Sequence, residues 1–188
     1  MTPEQAAQQL GMGYLPAGDK DFRAAWATLP EVSKSGKIKH IIFGVRDGVE
    51  ATGFQHQVTM HTGQAPIVVF RSIYSCEIPT VPETHIATRN LFQRAARKLG
   101  LARGIETTDS RFDRFWSVKS QDERFAIDLL NERLRAHITH KRGVTWRLMN
   151  GRLCLIYGGS MKADRVGSSL ERLLAFRSLA GPALDLAD

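Results

Sequence analysis

The chain has 188 residues, of which 43% are hydrophobic and 24% charged, with a formal net charge of +7. This composition fits one globular domain with a small extension and excludes an intrinsically disordered chain. No run approaches the roughly 20 apolar residues that span a bilayer, and MTPEQAAQQL lacks the basic-then-apolar pattern of a secretory leader. The expected location is therefore cytoplasmic, with peripheral membrane association left open.

Residues 1 to 30 read as helical and separate from the rest of the chain. Thr2, Pro3 and Gln5 make a capping box with proline at the first helical position. LPAGDK reads as a loop, and a second short helix is expected from Asp21 to Leu29, with Phe22 and Trp26 on one side. Pro30 ends it, and Glu31 to Gly36 is a polar connection. The period then changes to that of strands. Lys37 to Val45, Val49 to Met60 and Pro66 to Ile78 form an antiparallel meander, with Asp47-Gly48 as its first turn.

Pro79 and Pro82 break the sheet, and Glu83 to Thr88 reads as extended. A helix is expected from Thr88 to Leu99, with Leu91, Ala95 and Leu99 as its apolar stripe. The stretch FDRFWSVKSQDERFAIDLLNERLRAHIT reads as a strand from Phe112 to Val118 leading into a long amphipathic helix. Ser120 and Glu123 form the capping box of that helix, and Gly143 stops it. Ile127, Leu130, Leu134 and Ile138 mark its buried stripe. Val144 to Met149 and Arg152 to Tyr157 form a hairpin about Asn150-Gly151, the pair preferred in type I′ turns. A last helix runs from about Ala163 to Leu179, and the tail is expected to fray.

The order places the chain in the α+β class: an antiparallel meander and a hairpin with two long amphipathic helices and a short helical N-terminal extension. The expected division is residues 1–30 as the extension, 31–182 as a single domain and 183–188 as a frayed tail. The pattern from about 38 to 178 resembles an uncharacterised family of actinobacterial proteins. It rests on Gly44-x-x-x-Gly48 followed by Phe54, and on Phe112-x-x-Phe115-x-x-Val118 with Asp122, Ala126, Leu129 and Leu130. The Asn150-Gly151 hairpin and the closing Leu-rich helix also fit. That family has no assigned activity, and its members often carry membrane segments near the N-terminus.

The residues call for no metal and no cofactor. The chain has six histidines, but His137 and His140 at helical spacing have no third ligand at motif spacing. His56 and His61 fall on opposite faces of a strand. Cys76 and Cys154 each sit in a strand and read as buried thiols rather than a disulfide framework. No nucleophile elbow is present. Gly158-Gly159-Ser160-Met161-Lys162, before the last helix, has amides that could cradle an anion, but it lacks the phosphate-loop spacing, as does Ser35-Gly36-Lys37. Both read as ordinary loops.

Surface recognition is the stronger reading. Arg94, Arg97 and Lys98 cluster opposite the Leu91/Ala95/Leu99 stripe, and Arg142 and Arg147 supply a second basic group. The expectation is a non-enzymatic binding or adaptor domain that presents these residues to a protein partner or an anionic membrane surface. Nucleic-acid binding and an enzyme with an unfamiliar site are the alternatives. No helix-turn-helix, zinc-finger or RNP-like motif favours the former.

Overall fold

The computed structural model describes residues 1–61, 63, 65–89, 104–140 and 143–185. The fold is α+β, with antiparallel strand pairs throughout the described pairings. The chain divides into two compact units. The first comprises Met1–Cys76 with Ile156–Arg172, and the second Glu77–Leu155 with Leu173–Asp188.

In the first unit, α1 (Pro3–Gln9) starts at the expected Thr2–Gln5 capping box. The following LPAGDK segment is not wholly a loop: Gly13–Ala17 is a strand, β1, paired with β2 (Lys37–Arg46). Its Pro16 hides it from pattern reading, because proline has no ladder donor. An edge strand tolerates that loss, and β1 is an edge strand. The Phe43 ring lies over Gly13, 2.6 Å from where a Cβ would be, so a larger residue there would turn that half-exposed ring aside. Asp19 caps α2 (Lys20–Trp26) by accepting from the Phe22 amide at 2.8 Å.

The strand order is then β1, β2, β3 (Val49–His61) and β4 (Pro66–Glu77), with the end of β8 (Arg152–Gly158) beside β4. The Asp47-Gly48 turn has both residues in the left-handed region, with φ of 52° and 75°, as a type I′ turn needs. On one face of this sheet Trp26 packs on Phe54, ring centroids 4.7 Å apart, and Phe22 meets the same ring edge-on at 5.5 Å.

In the second unit, β5 (Thr84–Thr88) lies between β6 (Trp116–Ser120) and β7 (Val144–Met149), and β8 adjoins β7. Asn150 and Gly151 are left-handed, as the hairpin reading requires. Three expectations are revised here. Phe112 to Phe115 is not strand: Asp109 accepts from the amides of Arg111 and Phe112 and starts a helix, α3 (Ser110–Phe115). Strand begins only at Trp116. The expected helix starts at Asp122, which accepts from the Phe125 amide at 3.0 Å, whereas Ser120 belongs to β6 and receives the Asp122 amide.

The helical stretch itself comes in two pieces, α4 (Glu123–Leu129) and α5 (Glu132–Thr139). Asn131 caps the second by accepting from the Leu134 amide at 3.0 Å, and its side-chain amide donates to the Leu179 carbonyl at 3.1 Å. The break shifts the buried stripe to Ala126, Leu129, Leu130, Leu134 and Ile138 and leaves Ile127 exposed.

The last helix, α6 (Val166–Leu184), follows a 3₁₀ turn at Ala163–Arg165. It continues through Pro182 to Leu184, and Ala183 and Leu184, the first two residues of the tail expected to fray, are helical and buried. In the second unit the Phe176 ring packs tilted against Trp146, centroids 4.5 Å apart. Cys76 and Cys154 are both buried and are not joined in a disulfide. The helix expected over Thr88–Leu99 falls almost entirely outside the described residues, and Thr88 ends β5.

Replacing Asn131 by Ala removes the cap of α5 and the tie to Leu179 together. Denaturant unfolding is expected to show a loss of about 1–2 kcal/mol.

Candidate functional site

Register determines which side chains share a face of the first unit's sheet, because paired residues in an antiparallel ladder project to the same side. Gly53 pairs with Tyr74 and Gln55 with Ser72. These residues lie on the face opposite Phe54. Gly53 has no side chain because Tyr74 occupies the space, 2.9 Å from where a Cβ would be. The segment after β8 crosses this face. Buried Gln55 accepts from the Met161 amide at 2.9 Å. Gly159 donates to the Phe70 carbonyl at 2.8 Å, and the Ser72 hydroxyl donates to the Gly159 carbonyl at 3.0 Å. Gly159 has φ +104°, a conformation that glycine adopts without strain.

These ties hold a pocket of about 260 Å³ lined by Ser72, Tyr74, Tyr157, Gly158, Gly159, Ser160, Lys162, Arg165 and Ser169. Tyr74 meets Tyr157 edge-on at 6.0 Å. Burial pushes the Tyr74 phenol up to about 12, with a hydrogen bond to Ser169 acting the other way and Tyr157 and Asp164 adding to the rise. Tyr74 is therefore a neutral hydroxyl across the physiological range. Lys162 and Arg165 are exposed and supply positive charge, while Asp164 between them is exposed and outside the lining. The set suits an anion, since cations and hydroxyl donors form the stronger, charge-assisted hydrogen bonds.

The other face of the same sheet carries a groove of about 370 Å³ beside α2, with Ala24, Ala27, Val32 and Ile38 among its apolar residues and Lys20, Arg23 and Lys34 among its polar ones. Gly36 at its edge lies directly on the His56 ring, leaving no room for a Cβ. His56 is buried; its Nε2 is 3.4 Å from the Ser33 carbonyl, and its Nδ1 has no hydrogen-bond partner. Burial lowers its pKa, the Ser33 contact partly offsets this, and the Arg71 charge lowers it further. Nearby, the Tyr14 hydroxyl meets His40 Nδ1 at 2.9 Å, where a bulge in β2 places His40 at φ +52°.

Of the residues singled out from sequence, Arg94, Arg97, Lys98 and Arg142 lie outside the described residues. Arg147 is on β7 opposite His85, and its guanidinium lies 3.8 Å from Glu83 with the side chain only 13% exposed. His137 rests 6.0 Å from the Trp146 ring. Among the described residues no group of His, Cys, Asp and Glu converges as a metal site, and no helix is long and apolar enough to cross a membrane. The Gly158–Lys162 segment, read as an ordinary loop, forms one wall of the anion-suited pocket. Ser72, Tyr74, Tyr157, Arg165 and Ser169 complete it, and no local sequence signal marks them.

No protein-family model matches the chain, and no curated protein matches it. Among solved structures, the crystal structure of the mycobacterial trehalose monomycolate transport factor A, TtfA, matches with a TM-score of 0.65 at 10% sequence identity. The match covers 94% of this chain and 91% of that chain. At that identity the likeness is one of fold.

His56 makes stability depend on pH. Its unfolded-state pKa is about 6.5 and its folded value is lower, so below about pH 6.5 the unfolded chain takes up a proton that the folded chain refuses. Stability is full above that pH and falls as the pH drops through it. His40, also lowered by burial, adds a slope of the same sign. Unfolding measured between pH 7.5 and 5 is expected to show this loss, and His56→Phe to flatten it to the part due to His40.

Proposed function

We propose that this chain is a non-enzymatic accessory domain that binds an anionic, hydroxyl-bearing head group in the pocket between Tyr74, Tyr157, Lys162 and Arg165. The observation that carries this reading is the chemistry of the lining, where two cationic side chains share a small cavity with serine and tyrosine hydroxyls and no carboxylate. The hydroxyls can exchange hydrogen bonds with ligand hydroxyls, and the cations with a phosphate or carboxylate oxygen. An accessory role in transport is supported by the shared fold with a protein described as a transport factor.

Arg94, Arg97 and Lys98, and separately Arg142 with Arg147, remain proposed contacts for a protein partner, with Arg147 the less available of its pair because Glu83 engages it. The two surfaces separate by experiment. Inorganic phosphate and glucose 6-phosphate serve as probes in calorimetric titration. The sugar phosphate is expected to bind more tightly than phosphate alone. Lys162→Glu with Arg165→Glu is expected to weaken it at least about tenfold, roughly 1.4 kcal/mol. Reversing Arg94, Arg97 and Lys98 is expected to leave that affinity unchanged. Equal binding by the Lys162/Arg165 variant sinks the head-group reading.

A further inference from the structure

The far end of the β3–β4 hairpin has a composition that neither pocket uses. β2 begins at Lys37, opposite Gln57, so β3 has no β2 neighbour beyond that point. β8 ends at Gly158, with Gly159 still reaching Phe70. The β3–β4 register nonetheless continues to His61 opposite Pro66. Val58–His61 and Pro66–Val69 therefore form a two-stranded arm, about 13 Å long at the usual rise of a strand.

Apolar side chains are exposed on both sides of this arm. Met60 and Ile67 are direct partners and so share one face, with exposures of 47% and 49%. Val68, next along β4, is on the opposite face and is 42% exposed. From Val58 to Phe70 the sequence VTMHTGQAPIVVF contains no Lys, Arg, Asp or Glu. A protein surface docked on one side of the arm would leave the other side wet. A lipid interface surrounds an inserted arm and covers both.

The root of the arm is cationic. Lys37 pairs with Gln57, the residue before the arm begins, and Lys34 is three residues upstream of Lys37. Lys20 and Arg23 line the groove that Lys34 also lines. An uncharged apolar end with cations behind it matches an anionic lipid surface, with the side chains among the acyl chains and the cations at the head groups. The arm's outer strand edges carry unpaired backbone groups, which limits it to interfacial depth, where water still reaches them.

We infer that the β3–β4 arm is an interfacial membrane anchor that seats this protein on an anionic bilayer surface. The inference is independent of the head-group pocket. The full chain is mixed with phosphatidylglycerol–phosphatidylcholine vesicles and with pure phosphatidylcholine vesicles, and bound protein is sedimented. The anionic vesicles are expected to bind it, and added salt to weaken the binding. Met60→Asp with Ile67→Asp is expected to reduce binding at least about tenfold while leaving the thermal midpoint and the glucose 6-phosphate affinity unchanged. Lys34→Glu with Lys37→Glu is expected to abolish the preference for anionic vesicles. In a separate variant, Ile67→Trp is expected to show a blue-shifted emission component on those vesicles. Three results would each overturn the inference: no binding of the parent chain to anionic vesicles, equal binding by the Asp variant, or a self-associated parent that the Asp pair converts to monomer, which would assign the arm to a second copy.

Discussion

Much of the first unit depends on one constraint. Gly53, Phe54, Gln55 and His56 are consecutive in β3 and all buried. Side chains alternate along a strand, so burial of successive residues requires a cover on each face. On one side the cover is α2, with Trp26 and Phe22 on Phe54, and the Ser33–Gly36 turn over His56. On the other it is the Gly158–Met161 crossing, tied down through Gln55, Phe70 and Ser72. A side chain at Gly36 would push the Ser33–Gly36 turn off His56, and one at Gly53 would run into the Tyr74 ring on the paired strand, so glycine fits both places.

The two candidate surfaces are consequences of how those covers are built. The crossing brings the Gly158–Ser160 loop and the start of α6 against Ser72 and Tyr74, and the space left between them is the hydroxyl-lined pocket. The α2 cover leaves a basic-rimmed groove at its edge. Where both covers stop, after Gln57 on β3 and before Phe70 on β4, the same strand pair continues bare. Met60, Ile67 and Val68 are apolar and exposed there. Buried middle and exposed end are thus two regimes of one hairpin, and they divide the polar chemistry from the apolar surface.

Features set by neighbours in sequence were legible before the structure. Asp47-Gly48 and Asn150-Gly151 sit in the left-handed conformations their turns demand, and the Thr2–Gln5 box caps α1. Competition between local signals was harder to read. Asp109 could open a turn or cap a helix, and two hydrogen bonds from the following amides decide for the helix. Asn131 looked like a polar residue inside one long helix, yet its side chain starts a second one and reaches Leu179, 48 positions away. The pocket was the least legible, because Ser72 meets Gly159 across 87 positions and neither carries a motif. Charge counting drew attention to Arg94, Arg97 and Lys98, whereas Lys162 and Arg165 gain their interest only from the hydroxyls that long-range folding sets beside them.

The proposed function stands or falls on whether the pocket formed where the Gly158–Met161 segment crosses the sheet is a ligand site. Amide chemical-shift mapping of the isotopically labelled full chain during titration with glucose 6-phosphate is the decisive measurement. Saturable shifts are expected, concentrated at Gly158 to Arg165 and at Ser72 and Tyr74, with residues of the second unit unmoved. Shifts centred on any other surface, or none at concentrations where the ligand binds, would contradict the assignment.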